Sequence, residues 1–215
     1  MRTDQNVPVF ALNNLAKKVF SLLSANHSQQ LLITDTIILI QVETGFESVG
    51  IRLHDGLDYP YYFTRGFAYD FIDHEQYLCA RDQYGEVIRD GNGAPILECM
   101  CGNVIMGKTD PSLPFFTEGG SFWSNCTSDL LANTTEKERQ SRTRNRCNRA
   151  GYESVALFPI KTGGEILGLI QLNDHRKNMF NEDFIIFMEG ISVIIALLFS
   201  IVRQQESLKE LRLAV

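Results

Sequence analysis

Gly151-Tyr152-Glu153-Ser154-Val155-Ala156-Leu157-Phe158-Pro159-Ile160-Lys161-Thr162-Gly163-Gly164-Glu165-Ile166-Leu167-Gly168-Leu169-Ile170-Gln171-Leu172 is the stretch whose reading decides the fold. Apolar runs from Ser154 to Ile160 and from Glu165 to Asn173 flank Lys161-Thr162-Gly163-Gly164, and a glycine turn between such runs predicts a β-hairpin. Upstream lies almost everything chemically unusual in the chain: Glu98-Cys99-Met100-Cys101-Gly102 and Arg144-Asn145-Arg146-Cys147-Asn148. Paired cysteines, a further cysteine and then the hairpin predict a pocket built against a sheet.

The chain has 215 residues, 44% hydrophobic and 21% charged, which suits one domain with a buried core. A net charge of -6 argues against nucleic acid as a partner, since phosphate binding needs a concentrated basic face. The basic run from Arg139 to Arg149 follows Glu136 and Glu138 and is expected to be a solvated helix face. Five cysteines, an odd number, fit a reducing compartment. Met1 to Asn6 contains no apolar signal segment, so the expected location is cytoplasmic.

Val9 to Ser24 places Leu12, Leu15, Val19, Leu22 and Leu23 at helical spacing. A second helix, capped by Ser28, carries Leu31, Leu32, Ile37, Ile38 and Val42 and stops near Gly45. The period falls to two over Glu47 to Leu53, His54-Asp55-Gly56 turns the chain, and Tyr59 to Phe67 returns as a strand. Asp73 is placed to cap a short helix ending near Cys79 to Asp82, and Gln83 to Val87 with Gly91 to Pro95 form a small hairpin or a loop excursion. Gly102 to Met106 starts another helix; Asp110-Pro111, Pro114 and Gly119-Gly120 then preclude long regular structure until about Ser128. Asp129 to Arg149 is helical in composition. The last helix runs from Asn181 or Glu182 to Leu213, with Phe184, Phe187, Ile191, Ile194, Leu198 and Ile201 as a heptad seam that Gln205 interrupts and Leu208 resumes. Phe184 to Val202 is long enough to compete as a membrane span, but Glu189 in its middle and the continuing seam weigh against insertion.

The helix pair, Gly45-Phe46-Glu47-Ser48-Val49-Gly50-Ile51, Gly102-x-Val104, Gly151-Tyr152-x-Ser154-Val155-Ala156-Leu157-x-Pro159-Ile160, the Gly-Gly hairpin, Ile166 to Leu172, Phe180 and a terminal helix follow one order. In that order they resemble a GAF domain over about Leu12 to Arg203. The insert Asp110 to Thr117 with Gly120 to Asn125 is similar to the sub-group in sensor histidine kinases, including those of methanogenic archaea and anaerobic bacteria. The resemblance implies an α+β fold, an antiparallel sheet of about six strands with N- and C-terminal helices packed on one face. A ligand pocket would lie on the other face, roofed by Cys99 to Cys147. It further implies a homodimer through the terminal helices and a signal passed down the last one to a histidine kinase or other signalling protein of a two-component system. The expected organisation is a tail over 1–11, a single GAF domain over 12–203 and a helical extension over 204–215.

Cys99 and Cys101 would share a face of an extended segment. With Cys79 and Cys147 they are candidates for a four-thiolate zinc or iron-sulfur centre; free thiols with no cofactor are the alternative, because the spacing matches no standard ribbon or knuckle. Haem is a further candidate, suggested by haem-bound redox sensors among the methanogen kinases that this domain resembles. His54, His74 and His175 are candidate axial ligands, or else solvated turn residues. Phe115, Phe116, Phe122 and Trp123 supply an aromatic wall that is either a lid over a pocket or a plug on the sheet. Phe116 and Trp123 are expected to line the ligand, Arg144 and Arg146 to bind an anionic group, and Asn125 and Asn148 to add hydrogen bonds.

No phosphate-binding glycine loop or metal-carboxylate cluster is evident, so the expected role is a sensory domain for a small molecule or redox state, not an enzyme. Two alternatives stand beside it. One is a thiol-dependent reductase of the free methionine sulfoxide reductase type, an enzyme class the chain resembles in fold, with Cys99, Cys101 or Cys147 attacking sulfoxide sulfur and resolving as a disulfide. The other is a purely structural dimerisation domain.

Overall fold

The computed structural model describes residues 9–23, 29–140 and 143–213. The described residues open with α1 (Val9–Leu23) and α2 (Gln29–Thr44). Leu12, Leu15 and Val19 of α1 and Ile33, Ile37 and Ile40 of α2 recur every three or four residues, and all are buried. The expected cap Ser28 lies outside the described residues. α2 ends at Gly45, whose φ of +69° is left-handed and whose N–H donates to the Gln41 carbonyl at 2.8 Å. Glycine carries no Cβ penalty there.

The elements that follow are β1 (Ser48–Leu53), β2 (Tyr61–Arg65), α3 (Tyr69–Glu75), α4 (Cys99–Ile105), β3 (Phe122–Ser124), α5 (Thr127–Asn133), α6 (Arg146–Arg149), β4 (Ser154–Thr162), β5 (Glu165–Asp174) and α7 (Glu182–Leu213). The five strands form one antiparallel sheet in the order β2-β1-β5-β4-β3. The hairpin that decides the fold pairs Ser154 with Asp174 and Thr162 with Glu165. The sheet thus holds five strands among the described residues where about six were expected. Between Cys79 and Leu97 the chain makes only isolated bridges, Cys79 to Leu97, Arg81 to Val87 and Arg89 to Pro95.

Strand alternation sorts the core into two layers. Val49, Ile51, Ala156, Phe158, Ile160, Ile170 and Leu172 meet α1, α2 and α7 on one face. Tyr61, Val155, Leu157 and Leu169 lie on the other, under Phe67, Phe71, Met100, Cys101, Phe116 and Phe122. The α+β architecture with terminal helices on one face therefore stands.

Several local expectations differ. Cys99 and Cys101, expected on an extended segment ahead of a helix starting at Gly102, are themselves the opening turn of α4. The short helix begins at Tyr69 after Ala68, with Asp73 inside it. The segment from Asp129 to Arg149 breaks into α5 and α6, because Thr134 leaves the helix at φ -132° and its hydroxyl donates back to the Leu130 carbonyl, a local bond that competes with helix. Phe184 and Ile191, read as part of a heptad seam, are buried in the protein's own core. Among the described side chains of α7, the large apolar residues left exposed are Ile186, Val193 and Leu197. Gln205 and Leu208 have side chains outside the described residues. Glu182–Ser200 has the length and mean hydropathy, 2.1, of a membrane span, but Phe184, Met188 and Ile195 on it are packed in the helix-side core.

Candidate functional site

α4, α5 and α6 roof the sheet face that carries Val155 and Leu157, enclosing a cavity of about 50 Å³. Its apolar walls are Met100, Phe122, Leu130, Leu131, Val155 and Leu157, and Cys99, Cys101 and Cys147 also line it. The roof sits low because of Gly102, where a Cβ would fall 2.8 Å from the Leu97 backbone. Cys99 begins α4 with φ +68°. A non-glycine residue in that region costs on the order of 1–3 kcal/mol and marks a backbone held by its surroundings.

Gln171 of β5 joins the thiols from the sheet side. Its Oε1 accepts from Tyr61 Oη at 2.8 Å and lies 3.8 Å from Cys101 Sγ. Its Nε2 donates to Asn173 Oδ1 at 3.0 Å and reaches Cys147 Sγ at 3.8 Å. The thiols are not equivalent. Hydrogen bonding from the Cys101 thiol, helped by the backbone N–H groups of Cys101 and Met100, draws the Cys99 pKa down in spite of burial. The Cys101 thiol is driven up by that same hydrogen bond and by burial. Burial pushes Cys147 up to about 12. Cys99 is therefore the thiol predisposed to be a nucleophile, since the thiolate is the reactive form.

Cys79 stands apart. Its Sγ donates to the Leu57 carbonyl at 3.2 Å, burial and Asp58 raise its pKa to about 11, and it borders a surface groove with Arg81 and Arg144. Among the described residues no three His, Cys, Asp or Glu side chains come together to hold a metal ion. The four-thiolate zinc or iron-sulfur centre is thus not assembled. Nor does the cavity fit haem: ligand pockets for larger molecules run to about 300–1,000 Å³. His54 packs at a tilt against Tyr59, His74 Nδ1 lies 2.7 Å from the Asp70 carbonyl oxygen, and His175 is held between Glu47 and Ala150. None of the three lines the cavity.

Arg146 and Asn148 reach the cavity. Asn148 Nδ2 donates to Thr127 Oγ1 at 3.1 Å and Ser128 Oγ at 2.9 Å, pinning α6 to α5. Arg144 does not reach it; carboxylates of Glu98 at 2.8 Å and Glu75 at 3.6 Å already occupy its guanidinium. Phe116 packs with Phe115 and Phe122 in the pocket-side core, and of this trio only Phe122 lines the cavity. Trp123 points elsewhere, against the helix-side core and along an open groove with Asn125 and Cys126. Asn125 is structural, exchanging 2.9 Å bonds with the Phe180 backbone at the approach to α7.

Two arginines escaped the sequence reading. Arg52 is fully buried with its guanidinium carbon 3.5 Å from the Tyr61 ring centroid, and Nη1 donates to the carbonyls of Tyr59 at 3.0 Å and Gln76 at 3.1 Å. Arg139 lines the cavity.

No protein-family model matches the sequence, and no curated protein does. Solved structures match it in shape. The free methionine-R-sulfoxide reductase of Neisseria meningitidis, solved with its substrate, superposes with a TM-score of 0.62 at 13% identity, covering 93% of this chain and 95% of that one. A GAF domain of a phosphoenolpyruvate-protein phosphotransferase from Coxiella burnetii gives 0.62 at 11% identity, over 94% and 99%. The A. aeolicus nlh2 GAF domain in an inactive state gives 0.55 at 14%, over 89% and 97%. At such identities likeness extends to architecture alone, and the fold of this chain is the GAF fold.

Proposed function

We propose that this chain is a cytoplasmic sensory GAF domain of the sub-group found in sensor histidine kinases of methanogenic archaea and anaerobic bacteria. It reads a small molecule or redox state in the cavity and signals through α7. The observation that carries this reading is a hydrogen-bonded link from the cavity wall to that helix. Phe122 lines the cavity, and its chain neighbour Ser121 donates from Oγ to Glu189 Oε1 of α7 at 2.7 Å. Thr117 Oγ1 donates to the same oxygen. A ligand or modified thiol that displaces Phe122 pulls on a carboxylate on the opposite side of the sheet, which is the kind of differential contact a two-state helix needs. The sensory unit spans 12–203, with 204–215 as the start of a signalling helix. It forms a homodimer through its terminal helices, supported by the exposed Ile186, Val193 and Leu197 on α7, and hands its signal to a histidine kinase or other signalling protein. A reducing compartment agrees with the free state of all five cysteines.

A second reading, thiol-dependent reduction of a sulfoxide, is favoured by the lowered Cys99 thiol beside Cys101 and Cys147. Cys99 thiolate would attack sulfoxide sulfur, and a second thiol would displace the product sulfide, leaving a disulfide and water. NADPH-coupled turnover with thioredoxin on free methionine sulfoxide separates the two. The sensory reading expects no turnover above a Cys99→Ser control; sustained turnover lost in that control overturns it.

A further inference from the structure

Four of the side chains around the cavity carry sulfur: Cys99, Met100, Cys101 and Cys147. Its other apolar walls are Phe122, Leu130, Leu131, Val155 and Leu157. The polar groups at its edge are engaged elsewhere. Asn148 Nδ2 serves Thr127 and Ser128, the Thr127 hydroxyl donates to the Tyr152 carbonyl, and the Thr143 hydroxyl donates to Asn145 Oδ1. Gln171, between Cys101 and Cys147, accepts from Tyr61 and donates to Asn173. The cavity is therefore rich in sulfur and poor in spare hydrogen-bond donors.

Size and polarity together limit what a thiol there can carry. A volume of about 50 Å³ admits about three to five water-sized groups, at roughly 10–15 Å³ each. A tripeptide thiol joined to Cys99 by a disulfide does not fit. Sulfenic and sulfinic acids fit by size, but their oxygens need hydrogen-bond partners when buried. An added sulfur atom needs none: it is soft and polarisable, and it makes favourable contact with an aromatic ring such as Phe122. Cys99 is the thiol placed to take it. Its φ of +68° marks a backbone held by its surroundings, and the neighbouring Cys101 thiol lowers its pKa.

We propose that the cavity is a sulfane-sulfur site, in which Cys99 takes one sulfur atom from hydrogen polysulfide and holds it as a persulfide among Met100, Phe122 and Leu130. This names the reactant of the sensory cavity and rests on the sensory reading of that cavity. Cys99 Sγ, as thiolate, forms a bond to the terminal SH sulfur of the neutral polysulfide. The adjoining sulfur-sulfur bond breaks, and the remainder leaves with the electron pair as hydrosulfide or a shorter hydrogen polysulfide anion. The Cys99 sulfur is oxidised and the departing sulfur reduced, so no outside oxidant enters. The negative charge departs with the leaving group, and the proton of the terminal sulfur stays on a neutral persulfide against apolar walls.

The test is peptide-mapped mass spectrometry of the full chain carrying Cys126→Ser, reduced and kept anaerobic, after brief exposure to sodium tetrasulfide near neutral pH. One added sulfur is expected on Cys99, released by cyanide as thiocyanate. It should form at least tenfold faster than equimolar hydrogen peroxide modifies the same residue, and oxidised glutathione should leave Cys99 unmodified. Cys101→Ser and Cys147→Ser should retain the added sulfur, and Cys99→Ser should lose it; should that last variant fail to fold, the peptide map alone assigns the residue. The proposal is overturned if Cys99 gains no sulfur, if the gain is confined to Cys79, if peroxide reacts as fast, or if glutathione adds to Cys99. If polysulfide leaves Cys99 bare while a methylthio group there still alters α7, the sulfane-sulfur site falls and the sensory reading stands. A persulfide on Cys99 that leaves α7 unchanged supports the site and counts against the sensory reading.

Discussion

Ser121 Oγ donates to Glu189 Oε1 at 2.7 Å, tying the residue before a cavity-lining phenylalanine to a carboxylate on the helix across the sheet. Thr117 Oγ1 shares that oxygen, and a Cβ at Gly119 would fall 2.4 Å from it, so a side chain there would have to push the Glu189 carboxylate out of its place. Hydrogen bonds to a charged group contribute about 1.5–3 kcal/mol each. Glu189→Ala is expected to lower unfolding stability by about 2–4 kcal/mol, measured by urea denaturation. A loss below about 0.5 kcal/mol, the range of ordinary surface changes, would show that the link carries no energy.

Cys99 is expected to be the first thiol of the cavity to react. With Cys126 on the more open side of the protein replaced by serine, mass spectrometry after brief iodoacetamide treatment near pH 8 should find Cys99 labelled at least tenfold ahead of Cys147. The sign follows from the shifts. Cys99 is lowered and so retains thiolate below the usual thiol range, whereas Cys147 is raised to about 12 and stays protonated. The raised group contributes stability that is present below its unfolded value near 9.0 and lost as pH rises through about 12. Cys147→Ala should therefore flatten the alkaline side of the stability profile between those values.

His175 bridges the sheet to the roof. Its Nδ1 pairs with Glu47, its Nε2 lies 3.0 Å from the Ala150 carbonyl oxygen and its ring packs at a tilt against Tyr152, 4.4 Å between centroids. The hydrogen bond to Glu47 raises its pKa above 6.5. A raised histidine contributes stability that is fully present below about 6.5 and is lost as pH rises through the folded value. The stability difference between parent and His175→Gln should shrink on going from pH 6 to pH 9, read from urea midpoints. A pH-independent difference would mean that His175 acts only by packing.

The exposed residues Ile186, Val193 and Leu197 are expected to form the dimer contact. Val193→Glu should convert dimer to monomer in light scattering coupled to size exclusion, without lowering the melting temperature of the domain, because Val193 is outside the core. A parent protein already monomeric at about 100 µM would remove the dimer.

The hairpin from Ser154 to Asn173 and the helix-strand order could be read from the sequence, because a Gly-Gly turn and period-two apolar runs are local signals. What depended on distant chain could not. Arg52 does lie on the strand face opposite Val49 and Ile51, but that face is covered by α3 and the turn at Gln76, which no pattern around residue 52 announces. Arg139 was grouped with a solvated basic run, while its burial comes from packing on the cavity and on Thr134. Phe184 and Ile191 have coiled-coil spacing, yet a sheet meets them, and spacing does not distinguish a sheet from a second helix. Cys99, Cys101 and Cys147 line one cavity without forming a metal site, and Cys79 lies apart because its strand-like neighbours hold it beside Leu57. One local signal was overlooked. Arg81-Asp82 with Gly85 and Arg89-Asp90 with Gly93 are two copies of one loop, each arginine donating to its glycine carbonyl at 2.8 Å.

Hydrogen exchange of the α7 amides from Glu182 to Ser200, before and after methyl methanethiosulfonate places a methylthio group on Cys99, tests the link between cavity and helix most directly. The account predicts altered protection along that helix in the parent protein and none of that change in Glu189→Ala. Unchanged α7 protection in the parent, with modification of Cys99 confirmed by mass, would contradict it.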